Sequence, residues 1–179
     1  MPEGGCFCGK IRYSIEGEPL AKVRIIVHTQ ALLFKLASYY FLITHLPRYG
    51  PQPRNRRNDK TNASPQALCH CLDCRKITGS TYSTNIIVGG SGFKLLSGTP
   101  KSIGKTADSG KEIVSHFCGD CGSTLWRDGA SFGDGKVIKV GTLDDINALD
   151  DALPITELFT NHRVSWVGPV AGATQKAEM

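Results

Sequence analysis

The chain has 179 residues, enough for one domain with a hydrophobic core, and its composition is that of an ordinary globular protein. The formal net charge of +5 comes from residues 23–66, which carry seven Lys/Arg and one acid, whereas the remainder carries 14 Lys/Arg and 15 Asp/Glu. A near-neutral body argues against a general phosphate-binding surface, so no nucleic-acid partner is indicated.

The predicted elements are mostly short strands separated by Gly-rich turns. In chain order, we predict strands at Lys10–Ile15, Tyr82–Val88, Phe93–Leu96, Glu112–Phe117, Thr124–Arg127, Lys136–Val140, Glu157–Thr160 and Val164–Val167. Short helices are predicted at Arg75–Thr78 and Asp144–Leu149. Many strands and little helix indicate an all-β domain of short antiparallel strands over residues 1–170, followed by a disordered tail at 171–179.

Residues 23–66 differ in composition from the rest of the chain. The first part is apolar, and residues 47–65 are rich in Pro, Arg and Asn. The apolar part is about as long as a membrane span, but it contains His28, Lys35 and His45, which are costly inside a bilayer. We therefore predict no membrane span, and we interpret the segment as an insertion whose polar part is disordered.

The insertion has two open interpretations, a retained intron and a genuine addition to the domain. Its first two residues, Val23 and Arg24, can be encoded by a splice-donor sequence, and its last, Gln66, by the usual acceptor triplet. Removing it keeps the reading frame and joins Lys22 to Ala67. Mature transcripts that always encode the segment would exclude the intron.

All seven cysteines fall into three tight clusters. The clusters are Cys6 with Cys8, then Cys69, Cys71 and Cys74, then Cys118 with Cys121. An odd number argues against a framework made purely of disulfides, and thiolates at these spacings are typical zinc ligands. Reduced thiols and the absence of a cationic-then-apolar leader predict a cytoplasmic protein, with the nucleus as the alternative.

The number of thiols indicates how the clusters combine. The first and third clusters offer two thiols each and together complete a four-thiolate site. The middle cluster then holds a second ion with three ligands, the pattern of a catalytic zinc that keeps an exchangeable fourth position. Alternatively, His70, His116 or His162 closes this site and makes it structural, although the ring of His70 is expected to point away from the metal.

Four motifs together resemble one known family. The motifs are Gly4–Tyr13, Cys69–Ser80, Phe117–Ser123 and Gly141–Asp145. They resemble the glutathione-dependent formaldehyde-activating enzyme family, which includes centromere protein V, and the likeness runs from Gly4 to about Val167 without residues 23–66. The resemblance implies a zinc-bearing all-β fold called a β-tent. It also implies two Zn²⁺ per chain, a structural ion on Cys6, Cys8, Cys118 and Cys121 and a catalytic ion on Cys69, Cys71 and Cys74.

The activity that the resemblance implies is that of a carbon–sulfur lyase. Such an enzyme joins glutathione and formaldehyde into S-hydroxymethylglutathione and catalyses the reverse reaction, so its partners are a small thiol and an aldehyde. Arg75 and Lys76, which follow the third ligand of the middle cluster, are candidates for holding a substrate carboxylate; the alternative is that they are ordinary surface cations.

Two rival interpretations remain open from the sequence. One is a non-enzymatic two-zinc module that binds other proteins or associates with chromatin. The other is an inactive family member, in which the apolar insertion between the first strand and the middle cluster occludes the site or prevents folding.

Overall fold

The structure is a computed structural model that describes residues 1–16, 66–107 and 110–179. All described residues belong to one compact unit, which falls within Met1–Lys22 and Asn62–Met179. The predictions for residues 23–65 lie outside the described residues. Gln66, the last residue assigned to the insertion, is described: it begins a strand and is buried.

Strands dominate the described part of the chain, which confirms the prediction of an all-β domain. The strands are β1 (Glu3–Gly5), β2 (Arg12–Ile15), β3 (Gln66–Cys69), β4 (Ser83–Val88), β5 (Phe93–Ser97), β6 (Lys101–Thr106), β7 (Glu112–Phe117), β8 (Thr124–Gly129), β9 (Lys136–Lys139), β10 (Pro154–Leu158) and β11 (Thr174–Lys176). The helices are α1 (Leu72–Thr78) and α2 (Ala148–Asp151). Within the described ranges, no helix has the length and apolar character needed to cross a membrane.

The strands form two sheets. The smaller sheet has the order β1-β2-β5, and the larger has the order β11-β10-β3-β4-β9-β8-β7-β6. β10 runs parallel to both of its neighbours, β3 and β11. The other described strand pairs are antiparallel, so the prediction of antiparallel strands is wrong only around β10.

An apolar core lies between the two sheets. The register pairs Ile138 with both Ile86 and Trp126, so these three side chains share one face of the larger sheet. The ring of Phe93 on the smaller sheet lies 4.7 Å from that of Trp126 and 5.5 Å from that of Tyr13, centroid to centroid. Burying each of these large side chains contributes about 1.5–3 kcal/mol, which holds the sheets together.

The opposite face of the larger sheet is also buried near its centre, but it is polar. It carries Cys69, Ser83, Asn85, Lys139 and Arg127, which the register places side by side across β3, β4, β9 and β8. Each of these five residues is at most 8% exposed. Helix α1 follows directly after Cys69, so this face is where cysteine chemistry and buried charge meet.

The sequence pattern missed strands that lack apolar alternation. β6 is exposed along its whole length, and β1 contains two glycines. The predicted strand at Val164–Val167 is absent. The predicted disordered tail needs correction as well, because Thr174–Lys176 forms β11 against β10.

A buried carboxylate explains why the C-terminal segment is ordered. Glu157 on β10 is fully buried and accepts hydrogen bonds from the Val170 N–H and from the Gln175 amide, the latter at 3.1 Å. Its second oxygen lies 2.9 Å from His70 Nε2 and 3.1 Å from Arg163 Nη2. Burial raises the pKa of Glu157, but the hydrogen bonds, led by that from Val170, outweigh it and lower the pKa below its usual value.

We expect Glu157→Gln to lower the free energy of unfolding by about 3 kcal/mol at pH 7, because it leaves Arg163 without its buried anion. The pKa of Glu157 is lowered in the folded state, so its stabilisation is present above the unfolded-state pKa of about 4.3 and is lost as the pH falls through the folded-state value. The difference between wild type and variant, measured by urea unfolding, should therefore shrink below about pH 4.

Glu16→Gln is the matched control. The Glu16 carboxylate is exposed and lies 3.9 Å from the exposed Lys94 ammonium, so solvent already screens the pair. This variant should unfold at the same urea concentration as the wild type. Equal effects of the two substitutions would contradict the assignment of Glu157 as the anchor of the C-terminal segment.

Candidate functional site

The first and last cysteine clusters form one group of four sulfur atoms. Cys6 and Cys8 follow β1, Cys118 and Cys121 follow β7, and every pair of their sulfurs lies within 4.8 Å. Cys8 Sγ is 3.5 Å from Cys6 Sγ and 3.7 Å from Cys118 Sγ. This group ties the N-terminal strand to the β7–β8 connection, across more than 100 residues of sequence.

The two loops of the four-cysteine group have similar backbone turns. The N–H groups of Cys6 and Cys118 each donate to the carbonyl five residues later, at 3.0 Å. Gly9 and Gly122 both have a φ of +76°, a left-handed conformation that a side chain would strain. The Ile11 N–H donates to Cys6 Sγ at 3.3 Å, and hydrogen bonds of this kind orient a thiolate toward a metal ion.

The middle cluster forms a separate group of three sulfurs, again within 4.8 Å of one another. Cys69 ends β3, Cys71 caps the N-terminus of α1, and Cys74 lies in the first turn of that helix. The Cys74 N–H donates to Cys71 Sγ at 3.4 Å. Cys69 and Cys74 are buried and Cys71 is half-buried, so the change from strand to helix gathers three thiols at one buried corner.

Within each group the thiols differ strongly in acidity. Hydrogen bonds from Cys69 and Cys71 lower the pKa of Cys74 far below its usual value, and hydrogen bonds with Cys71 and Cys74 raise the pKa of Cys69. In the other group, hydrogen bonds from the Ser123 hydroxyl and N–H lower the pKa of Cys121 to about 5. Each group therefore favours at least one thiolate at neutral pH.

Two buried cations adjoin the three-cysteine group, and sequence reasoning missed both. Arg127 is 7% exposed, and its Nη1 donates to Cys74 Sγ at 3.5 Å. Lys139 is 5% exposed, and its Nζ donates to Asn85 Oδ1 at 2.7 Å. Burial lowers the pKa of Lys139, and the negative charge of Cys74 opposes this shift. The one available signal in the sequence is that a charged residue interrupts the apolar pattern of a strand.

The histidines proposed as closing ligands lie elsewhere. The Nε2 atom of His70 is directed to Glu157, at 2.9 Å, as expected for a ring that points away from the cluster. His116 and His162 make other contacts, with a carboxylate and an aromatic ring respectively. Among the residues that the structure describes, no histidine joins the three thiols in a common group of donor atoms.

A cleft of about 410 Å³ opens between the two cysteine groups. Its lining consists of Ile77, Thr78, Ser80, Tyr82, Ser83, Thr84, Gly122, Ser123, Thr124, Lys139, Gly141 and Thr142. Hydroxyl groups dominate this lining, and Lys139 is the one charged residue among the described residues that line it. The hydroxyl of Ser83 contributes to the lowered pKa of Cys74, so this part of the lining lies near the three thiols. Arg75 and Lys76, the predicted carboxylate ligands, are not part of the lining.

The donor atoms fit a soft divalent metal ion, and zinc is the common choice for thiolate ligands. Arg127 and Lys139 are buried against the three sulfurs, and in the described part of the chain neither forms an ion pair with a carboxylate. The Arg127 Nε atom is also buried without a partner there. Buried cations need nearby anions, and cysteines become anions when they bind a metal. The residues of both groups therefore fit Zn²⁺.

The chain is similar to one known protein family and to solved structures. The model of a family described as "Glutathione-dependent formaldehyde-activating enzyme" matches residues 57–162, which is more than half of the chain. The match includes the middle and last cysteine clusters but not Cys6 and Cys8. No curated protein sequence matches the chain. A crystal structure of a Rhodobacter sphaeroides protein is similar with a TM-score of 0.48 and 14% identity, covering 85% of this chain and 96% of that one.

We predict that the reduced protein binds two zinc ions, one in each group of sulfurs. Competition with a chromophoric chelator, followed by metal analysis of the desalted protein, measures the number. Replacing Cys69 and Cys71 by serine should remove one ion and leave the four-cysteine group loaded, because three donors then fall to one.

Replacing Cys6 and Cys8 by serine is the matched comparison for the other group. It should remove the ion of that group and destabilise the fold, and the protein that stays folded should retain the ion of the three-cysteine group. The assignment of two independent sites would be wrong if either pair of substitutions removed both ions from folded protein, or if neither removed any.

Proposed function

The chain belongs to the glutathione-dependent formaldehyde-activating enzyme family, and we propose from this that it is a zinc-dependent carbon–sulfur lyase acting on adducts of a small thiol with formaldehyde. The observation that carries the proposal is a set of three thiols, two buried and one half-buried, beside a hydroxyl-lined cleft. A tetrahedral zinc ion bound by these three would have one ligand position to spare. Glutathione is the first candidate for the thiol, because the family description names it.

We propose different roles for the two groups of cysteines. The structural zinc ligands would be Cys6, Cys8, Cys118 and Cys121, and the catalytic zinc ligands would be Cys69, Cys71 and Cys74. The first set supplies the four donors of a closed site, and the second supplies three. The position of the first set, at the far end of the cleft, supports a role in shaping the wall that contains Ser123 and Thr124.

The reaction needs no oxidant or reductant. The substrate sulfur bonds to the formaldehyde carbon, the π electrons of the carbonyl move to its oxygen, and the proton lost by the thiol ends on that oxygen. A bound zinc ion lowers the pKa of a thiol that ligates it and holds the sulfur in place. Delivery of a thiolate suits this site better than activation of the carbonyl, because three thiolate ligands already weaken the Lewis acidity of the ion.

The side chains of the protein would perform the remaining tasks. Arg127 donates to Cys74 Sγ, and such a hydrogen bond from a cation would favour the anionic form of that sulfur. The hydroxyl groups of Ser83, Tyr82 and Thr142 line the cleft. Those of Ser83 and Thr142 already donate to Asn85 Oδ1 and to the Lys139 carbonyl, so Tyr82 is the candidate donor to the aldehyde oxygen as it gains charge. The cleft volume of about 410 Å³ suits a compact substrate or the thiol end of a larger one, and the buried Ser83 and Lys139 are part of its lining.

A non-enzymatic two-zinc module is the second candidate. Phe7, which separates the first two cysteines, is 94% exposed, and Trp166 is 76% exposed, so apolar side chains are available to a protein partner. A chain that is inactive because of residues 23–66 is the third. Both predict two bound metal ions without turnover, whereas the lyase requires that one of the two ions exchange a ligand.

The test is formation and breakdown of S-hydroxymethylglutathione by the zinc-loaded protein, followed by nuclear magnetic resonance with ¹³C-labelled formaldehyde. We expect Cys74→Ser to reduce turnover at least about 100-fold, because the substitution removes a ligand of the catalytic ion, while the fold is retained.

Cys118→Ser is the comparison variant, and it is expected to lose the cooperative unfolding transition because a structural zinc site contributes directly to folding. Similar behaviour of the two variants would contradict the division of roles. A wild-type protein that holds two ions and produces no adduct with glutathione or with 2-mercaptoethanol would overturn the proposed activity.

A further inference from the structure

We propose that Arg127 and Lys139 make the three-cysteine site selective for an anionic incoming ligand, so that a substrate thiol enters it as the thiolate and neutral ligands are disfavoured. This inference rests on the proposed function and assigns two specificity-determining residues to it.

The two cations lie close together in a buried environment. Both extend from the polar face of the larger sheet, where β8 and β9 are paired, and the two charges are near enough to repel each other. Arg127 is 7% exposed and Lys139 is 5% exposed. Like charges buried side by side are unfavourable, so their position requires negative charge of comparable size nearby.

The three cysteine sulfurs are the source of that negative charge. Arg127 Nη1 contacts Cys74 Sγ at 3.5 Å, and Lys139 interacts electrostatically with all three sulfurs of the group. The remaining described hydrogen bond of Lys139 Nζ goes to the neutral amide of Asn85. Within the ranges that the structure describes, no carboxylate lies in ion-pair contact with either cation, although such pairs occur elsewhere in the protein.

The balance of charge at the site favours one more anion. Three thiolates with one divalent ion carry a net charge of −1, and Arg127 and Lys139 bring the total to +1. An incoming thiolate makes the site neutral, whereas a neutral ligand such as water or imidazole leaves a buried net charge uncompensated. Three thiolates alone would repel an anion and so favour a neutral fourth ligand. The two cations reverse this preference in favour of an anionic ligand.

The cleft leads an anion to this position. Among the residues that the structure describes, its lining consists of Lys139, hydroxyl-bearing residues, glycines and one isoleucine, and includes no carboxylate. Ser83 and Lys139 are both in the lining and both interact with the cysteine sulfurs, so they mark the part of the cleft that lies near the three-cysteine group.

The four-cysteine group shows no comparable arrangement. The cations near it, Lys10 and Lys101, are both exposed, and Lys10 is paired with Asp120 at 3.0 Å. Solvent screens these two cations, and four thiolates leave no position for a further ligand on a tetrahedral ion. Buried, unpaired positive charge is therefore a property of the three-cysteine site among the described residues.

The test measures binding to the zinc-loaded full-length protein by titration calorimetry at pH 7. The two probes are 2-mercaptoethanol, which can bind as an anion, and imidazole, which binds as a neutral ligand. For the wild type we expect thiol binding with release of one proton to the buffer, detected by repeating the titration in buffers of different ionisation enthalpy. A wild type that binds the thiol without proton release, or does not bind it, overturns the inference.

Two variants test the role of the charge itself. Lys139→Met removes the ammonium, and Asn85→Asp places a carboxylate against Lys139 Nζ, which neutralises it while the lysine stays in place. Each should lower the ratio of thiol to imidazole affinity by about tenfold or more, since one full charge is lost near the bound sulfur. Having two variants covers the case in which one of them fails to fold or to retain zinc.

Lys136→Gln is the matched control, because Lys136 lies on the same strand but pairs with Asp128, away from the cysteines. It should leave the affinity ratio unchanged. An unchanged ratio in a folded, zinc-loaded Lys139→Met or Asn85→Asp protein contradicts the inference, and so does an equal drop in Lys136→Gln. The readout is binding and not turnover: adduct formation with unchanged selectivity would overturn this inference alone, and selective thiol binding without adduct formation would overturn the proposed activity alone.

Discussion

Compensation of buried charge on one face of the larger sheet is the constraint on which the rest of this structure depends. Lys139 and Arg127 are built into the interior of two neighbouring strands, where a cation is stable only beside an anion. The strand-to-helix corner at Cys69–Cys74 supplies that anion as sulfur. Burial, metal affinity and the preference for a thiolate are therefore linked, and a change in one of them shifts the other two.

The cysteine spacing predicted the grouping of the site residues more completely than the apolar pattern predicted the strands. The number of cysteines in each sequence cluster predicts one group of four thiols and one of three, and the structure groups the sulfurs in the same way. The alternating pattern predicts Glu112–Phe117 to the residue and several other strands to within one or two residues of an end. β1, β6 and β11 are missed, since their residues face solvent or contain glycine and carry no pattern to detect. β3 is missed as well, although it is mostly buried, because its first residue was assigned to the insertion.

The two buried cations beside the three thiols were harder to predict from the sequence. Arg127 and Lys139 are 12 residues apart in sequence and more than 50 residues from Cys74, and they reach the thiols through the pairing of β8, β9, β4 and β3. Register decides which face a strand residue occupies, and no single strand contains that information. Arg75 and Lys76 were attractive candidates because they adjoin a ligand in sequence, yet the cleft lies on another side of α1.

The central claim about this protein is that its seven sulfurs divide into a closed site and a site with room for one more ligand. X-ray absorption at the zinc edge tests it directly, because the fine structure reports the average number of sulfur neighbours per ion. The account predicts an average between three and four for the zinc-loaded protein, rising to four when 2-mercaptoethanol is added. An average that is already four, or one that does not change when the thiol is supplied, would contradict it.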